Sequence, residues 1–177
     1  MYHFGNHLLR AMFWLFLSEI LCLILAFSLA IFRSAAISRI FGLLFGITAH
    51  MLLIGNCGRE IAGTDAKRYR TAQKPVSFCQ PLLLSLFLML PSCITYGILC
   101  LHADSILCLN IFPLLNAPFI QLYRLLIGNK EPFSAITQIR RIFMAFPPLL
   151  TALSFLIGYE MHYLAETAKI QTSRSRK

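Results

Sequence analysis

The stretch Phe78–Leu101, FCQPLLLSLFLMLPSCITYGILCL, runs for 24 residues without a charged side chain. About 20 helical residues cross the ~30 Å hydrocarbon core of a bilayer. Backbone N–H and C=O groups find no water there, so a run of this kind reads as a membrane-spanning helix. A transmembrane β-barrel would need short alternating strands, and no such alternation is present.

Four more apolar runs flank it. Ala11–Phe32 carries one charge, Glu19, and Ile40–Cys57 carries one ionisable group, His50. Ile106–Ile127 contains Arg124, and Ile142–Leu164 ends with Glu160 and His162. The whole chain of 177 residues is 58% hydrophobic and 13% charged, with a mean hydropathy of +0.70. A water-soluble domain carries about 25% charged residues. That gap disfavours a soluble domain, a disordered chain and a disulfide-stapled miniprotein. The predicted fold is an all-α integral membrane helical bundle forming one domain over residues 1–177.

The run Ile106–Ile127 differs from the rest, because it holds Asn110, Pro113, Asn116, Pro118, Gln121 and Arg124. Two prolines five residues apart remove backbone donors and strain a helix. The segment therefore reads as broken, either re-entrant or interfacial. That leaves four full transmembrane helices at about 11–32, 40–57, 78–101 and 142–164, with five as the alternative. Lysine and arginine follow the cytoplasmic side of a membrane. The cluster Arg59, Lys67, Arg68, Arg70 and Lys74 makes residues 58–77 a basic cytoplasmic loop and puts the N-terminus in the cytoplasm. Four and five spans satisfy the charge rule equally, and the broken run decides for four. The loop has room for a short helix after Thr64 or Asp65, both plausible caps, ended by Pro75. Asn129-Lys130-Glu131-Pro132 reads as a turn. The tail 167–177 reads as basic and mobile. Ser28-Leu29-Ala30 resembles a signal-peptidase site, but the long run with Glu19 inside it favours an uncleaved first span.

Glu19 is the costliest residue, at about 2.5–3.5 kcal/mol for a charge at mid-bilayer. It shares a helix face with Cys22, Ala26 and Ala30. Gly42, Gly46 and His50 form a matching face spaced by four, and small faces let helices approach closely. Pairing Ala30 with Gly42 and Ala26 with Gly46 sets Cys22 beside His50, with Glu19 about 4.5 Å further along the axis. An intramembrane Glu19–His50 contact is expected, serving chiefly as a structural hydrogen bond. Asn110, Asn116, Gln121 and Arg124 are the candidate ligand-lining residues if the broken run forms a site.

The six cysteines show no C-x-x-C and no zinc spacing. Cys100 and Cys108 flank a predicted turn and could bridge in an oxidising compartment, but the six read mainly as small apolar residues. Lys67, Arg68 and Arg70 are suited to anionic lipid. The net charge of +9 is mostly the topological signal itself, and no nucleic acid is expected. There is no H-E-x-x-H, G-x-S-x-G, P-loop or G-x-G-x-x-G. No enzymatic activity, metal or cofactor is expected.

Leu114-Leu115-Asn116-Ala117-Pro118-Phe119, and Phe146-Pro147-Pro148-Leu149-Leu150 running to Leu156-Ile157-Gly158-Tyr159-Glu160, resemble a group of small uncharacterised multi-pass membrane proteins of clostridia-like bacteria. The resemblance extends from about Gly58 to Glu160. It implies that the Asn-Ala-Pro-Phe stretch precedes the final span without crossing, and it carries no activity. Ala26 and Ala30 are also similar to the A-x-x-x-A pair in substrate-binding subunits of energy-coupling-factor transporters. Those normally have six helices. The function expected is that of a non-enzymatic accessory or interaction subunit, binding other membrane proteins or itself as a homo-oligomer, in the bacterial cytoplasmic membrane. The alternative is a small-molecule transporter component.

Overall fold

The computed structural model describes residues 2–30, 35–72, 77–127 and 132–175, with the side chains of 4–29, 40–71, 77–127 and 132–172. Every element in these residues is helical: α1 (Tyr2–Ala30), α2 (Ala35–Ala72), α3 (Cys79–Leu101), α4 (Ile106–Leu114), α5 (Ile120–Ile127), α6 (Gln138–Ala145) and α7 (Pro147–Ser175). A single 3-10 turn, Ala117–Phe119, precedes α5, and another, Phe133–Ala135, precedes α6. The all-α bundle is as expected. Four helices are long and apolar enough to cross a membrane, and α4 with α5 forms a broken pair bent by 99°.

Sequence periodicity sets which faces meet. On α1 the buried residues His7, Ala11, Leu15, Ser18, Cys22 and Ala26 recur every three or four positions, while Phe13, Phe16, Ile24 and Phe27 stay exposed. On α2 the buried stripe is Gly42, Gly46, His50, Ile54, Cys57, Ile61 and Asp65. Such narrow stripes belong to helices that pack on one side and meet lipid on the other.

The α2–α7 contact is the most extensive in the bundle. Successive contacts run from His50 with Thr151 to Asp65 with Tyr159, so the two helices are parallel. A Cβ on Gly158 would sit 2.8 Å from the Gly55 Cα, and one on Gly58 would sit 2.9 Å from the Tyr159 amide nitrogen. Glycine at these points lets the two backbones touch directly.

The broken run folds back on itself as a bent hairpin. Its apex, Asn116-Ala117-Pro118, reaches α1 through Glu19, α2 at Gly46 and α3 through Thr95. Past the apex the chain turns back, because Gln121 packs beside Gly42, one turn closer to the start of α2. Both ends of the hairpin meet at the same end of the bundle. There the Ser134 amide donates to Ala103 O at 3.2 Å, and its hydroxyl donates to Asp104 at 2.6 Å. Arg141 ties this end together. Its Nε donates to Ile136 O at 2.9 Å, its Nη2 to Ser134 O, and its guanidinium lies 5.0 Å over the Phe133 ring. The N-terminal part of α1 and the C-terminal parts of α2 and α7 share the opposite end.

Three expected boundaries move. Residues 58–72 are not a loop with a short capped helix but the continuation of α2, whose 38 residues span about 57 Å. Thr64 and Asp65 lie inside that helix; the Thr64 hydroxyl donates to Glu60 O at 3.0 Å, and the apolar stripe continues through Ile61. The tail is helical through Ser175, supported by a Lys169–Glu166 pair at 2.7 Å. The run 142–164 is two elements, with α7 starting at Pro147, since proline suits a first helical position. The expected turn at Asn129-Lys130-Glu131 lies outside the described residues, as do Pro75 and the side chain of Ala30.

Candidate functional site

The residues that are expensive in a bilayer converge at two levels of the bundle. At mid-depth His50 is 1% exposed. Its Nδ1 lies 2.7 Å from Ser18 Oγ on α1, and its Nε2 lies 2.8 Å from Thr151 Oγ1 on α7. A neutral imidazole offers one donor and one acceptor, so one hydroxyl donates to it and the other accepts from it. Phe119 of the hairpin apex packs edge-on against the ring at 5.4 Å. One side chain thus joins three helices and the hairpin.

Glu19 occupies the next position on α1 but serves another partner. The Ala117 backbone N–H donates to its Oε2 at 2.8 Å. That amide is among the unpaired donors at the start of the returning half-helix, and a carboxylate there also meets the positive end of the helix dipole. The expected Glu19–His50 contact is therefore replaced by two separate linkages, Ser18–His50 and Glu19–Ala117. The α1–α2 register is shifted by one turn for the same reason. Cys22 donates its S–H to Gly46 O at 3.5 Å, where Ala26 was expected, and His50 pairs with Ser18, where Cys22 was expected.

The small-residue face of α2 is used, but by a different neighbour. A Cβ on Gly46 would sit 3.0 Å from Pro118 O, and one on Gly42 would sit 3.1 Å from Gln121 Cγ and 3.4 Å from Leu29. Gly42 and Gly46 mainly admit the hairpin. Ala26 is buried in the bundle at 8% exposure.

The candidate ligand-lining set splits. Asn116 is fully buried; its Nδ2 donates to Thr95 Oγ1 and to Phe112 O, both at 3.0 Å. Gln121 is buried against α2. Asn110 and Arg124 are exposed and line nothing with them. Lys67, Arg68 and Arg70 are exposed on the extended end of α2. All six cysteines are free, Cys100 and Cys108 included, and no group of three potential metal ligands occurs among the described residues.

The second level escaped the sequence reading. Near the terminal end, the Tyr159 hydroxyl donates to Asp65 Oδ2 at 2.9 Å. His7 Nε2 stands 3.3 Å from Asp65 Oδ1, within ion-pair reach but without hydrogen-bond alignment. Asp65 is 1% exposed. The available signal was the continuation of the α2 stripe, Ile54, Cys57, Ile61 and Asp65, past the point where composition turns polar.

No protein-family model, curated protein or solved structure matches this chain.

Proposed function

We propose that the chain is a non-enzymatic accessory or interaction subunit of the bacterial cytoplasmic membrane, with both termini in the cytoplasm. The observation that supports this reading most is the use of the mid-depth polar groups. Ser18, His50 and Thr151 close on one another, and Glu19 caps the hairpin, so these groups act as joints between helices. Polar side chains serve as such joints in membrane bundles at about 0.6–2 kcal/mol each. Arg59, Lys67, Arg68 and Arg70, with the Lys169 end of α7, share the terminal end. The positive-inside rule assigns that end to the cytoplasm, and the exposed basic residues suit anionic headgroups there. The bacterial source follows the resemblance to the clostridial group.

A transporter component is the second reading, favoured by the half-helix that begins at mid-depth. Against the energy-coupling-factor version stands Ala26: in those subunits the A-x-x-x-A pair contacts the transport partner, whereas here Ala26 is packed inside the bundle. Native mass spectrometry of the full chain from its own membranes, paired with tracer flux in proteoliposomes, separates the two. The accessory reading expects a complex of fixed stoichiometry with itself or another membrane protein, and no flux. A monomer that carries substrate across the vesicle would overturn it.

A further inference from the structure

Two buried atoms at the terminal end of the bundle face each other without a bond. His7 on α1 is 7% exposed and Asp65 on α2 is 1% exposed. Nε2 of the imidazole stands 3.3 Å from Oδ1 of the carboxylate, yet neither atom has a hydrogen-bond partner among the described residues. Buried polar atoms left in this way are rare in native folds. The other carboxylate oxygen accepts one bond, from the Tyr159 hydroxyl at 2.9 Å. An ionised carboxylate offers about four acceptor sites, and burying its charge is costly without a positive partner. What the pair lacks is a proton on Nε2, with the small turn of the ring that would align it.

The neighbouring charges do not supply that partner. Lys67 and Arg68 follow Asp65 on α2 but are exposed, as is Arg10 on α1, so solvent and salt screen them. Glu60, earlier on α2, accepts from Trp14 Nε1 at 3.3 Å. On α7, Tyr163 stacks on Tyr159 at 5.8 Å, and Glu160 brings further negative charge toward that phenol. α3 reaches α1 here through Phe87, 6.2 Å from the Phe4 ring, and carries no charged residue. His162 is the other imidazole at this end among the described side chains, and it lies beside Gly63.

We infer that His7 and Asp65 form a proton-operated latch, which closes when the imidazolium binds the carboxylate and then holds the first turns of α1 on α2 and α7. Phe4, Leu8 and Met12 pack there against the core that includes Ile61, Phe155 and Tyr159. A neutral imidazole protonated on Nδ1 turns a lone pair toward Oδ1. One protonated on Nε2 makes a bond but leaves the buried charge uncompensated. Both forms hold α1 less firmly than the imidazolium. The closed state binds the extra proton, so it is favoured as pH falls and lost as pH rises. Imidazole changes charge between about pH 5 and 8, the range a cell interior covers. The latch does not depend on whether the chain is an accessory subunit or a transporter component. That its proton comes from the cytoplasm rests on the cytoplasmic placement of the chain ends.

Hydrogen–deuterium exchange of the purified full chain in detergent tests this, at about pH 5.5 and about pH 8, either side of the imidazole range. Each rate is referred to that of an unstructured chain at the same pH. Protection of residues 4–12 should be about tenfold higher at the lower pH. His7→Gln and Asp65→Asn should each remove the difference, and His162→Gln should keep it. Equal protection of wild type at both pH values overturns the proposal, as does a difference that survives in His7→Gln and Asp65→Asn, or one that disappears in His162→Gln. If neither His7→Gln nor Asp65→Asn folds, wild type decides: a change confined to residues 4–12 and 61–69 supports the latch, and one centred on Glu19 or His50 overturns it.

Discussion

Replacing Gly158 with alanine tests the closest contact in the bundle. The added Cβ would stand 2.8 Å from the Gly55 Cα and would also meet the Gly55 carbonyl. Carbon atoms rest at about 3.5–4.0 Å, so α2 and α7 must separate locally by about 1 Å. Both obstructing atoms are backbone, which cannot turn aside as a side chain can. Overpacking of this kind costs about 1–3 kcal/mol, and alanine returns at most ~1 kcal/mol through helix propensity. With backbone on both sides the cost lies at the upper end of that range, so the net is a loss of about 2 kcal/mol, or ~4–8 °C in Tm at 2–4 °C per kcal/mol. Gly97→Ala is the control, since a Cβ there meets nothing within 4 Å; it should leave Tm unchanged or slightly raised. The assay is thermal unfolding in detergent followed by circular dichroism. Equal Tm shifts for the two variants, or a Gly158→Ala protein as stable as wild type, would refute the argument.

Three further outcomes follow from the polar joints. A double-mutant cycle of Ser18→Ala with His50→Ala should show coupling of about 0.5–2 kcal/mol, whereas Glu19→Gln with His50→Ala should be additive; coupling in the second pair alone would restore a direct Glu19–His50 contact. Tyr159→Phe removes one donor from Asp65 and should cost about 1 kcal/mol in unfolding experiments, and an unchanged midpoint would discount the His7–Asp65–Tyr159 cluster. Gly46→Leu should disrupt the hairpin more than Gly5→Leu, because Pro118 O stands 3.0 Å from a Cβ at Gly46 and nothing stands within 4 Å at Gly5. Thermal unfolding in detergent would read that difference, and equal Tm shifts in both variants would count against it.

The apolar runs and the broken fourth segment are legible because the bilayer imposes length and the prolines impose interruption. Partner choice is not. Gly42 and Gly46 announce that something comes close, but residue size does not say what, and the hairpin apex takes the place that α1 was expected to fill. Glu19 announces that a carboxylate must be satisfied, yet its partner is a backbone amide that no side-chain pattern advertises. Gly55, Gly58 and Gly158 are ordinary helical glycines in sequence, and only the parallel packing of α2 on α7 makes them a contact. The same holds for Ser18 and Thr151, whose hydroxyls gain meaning from the histidine 32 and 101 residues away. Asp65 sits in a stretch whose polarity suggests a loop, although the period of its buried neighbours continues that of the preceding span.

The claim on which the rest depends is that the fourth run enters and leaves the membrane at the same face, while the chain ends lie at the other. Single cysteines at Asp104, Ala135 and Gln171, in a chain whose native cysteines have been replaced, can be labelled with an impermeant maleimide in sealed oriented vesicles. All three positions are exposed. Residues 104 and 135 should label from one side and 171 from the other. Labelling of 104 and 135 from opposite sides would make the fourth run a true span and would contradict this account.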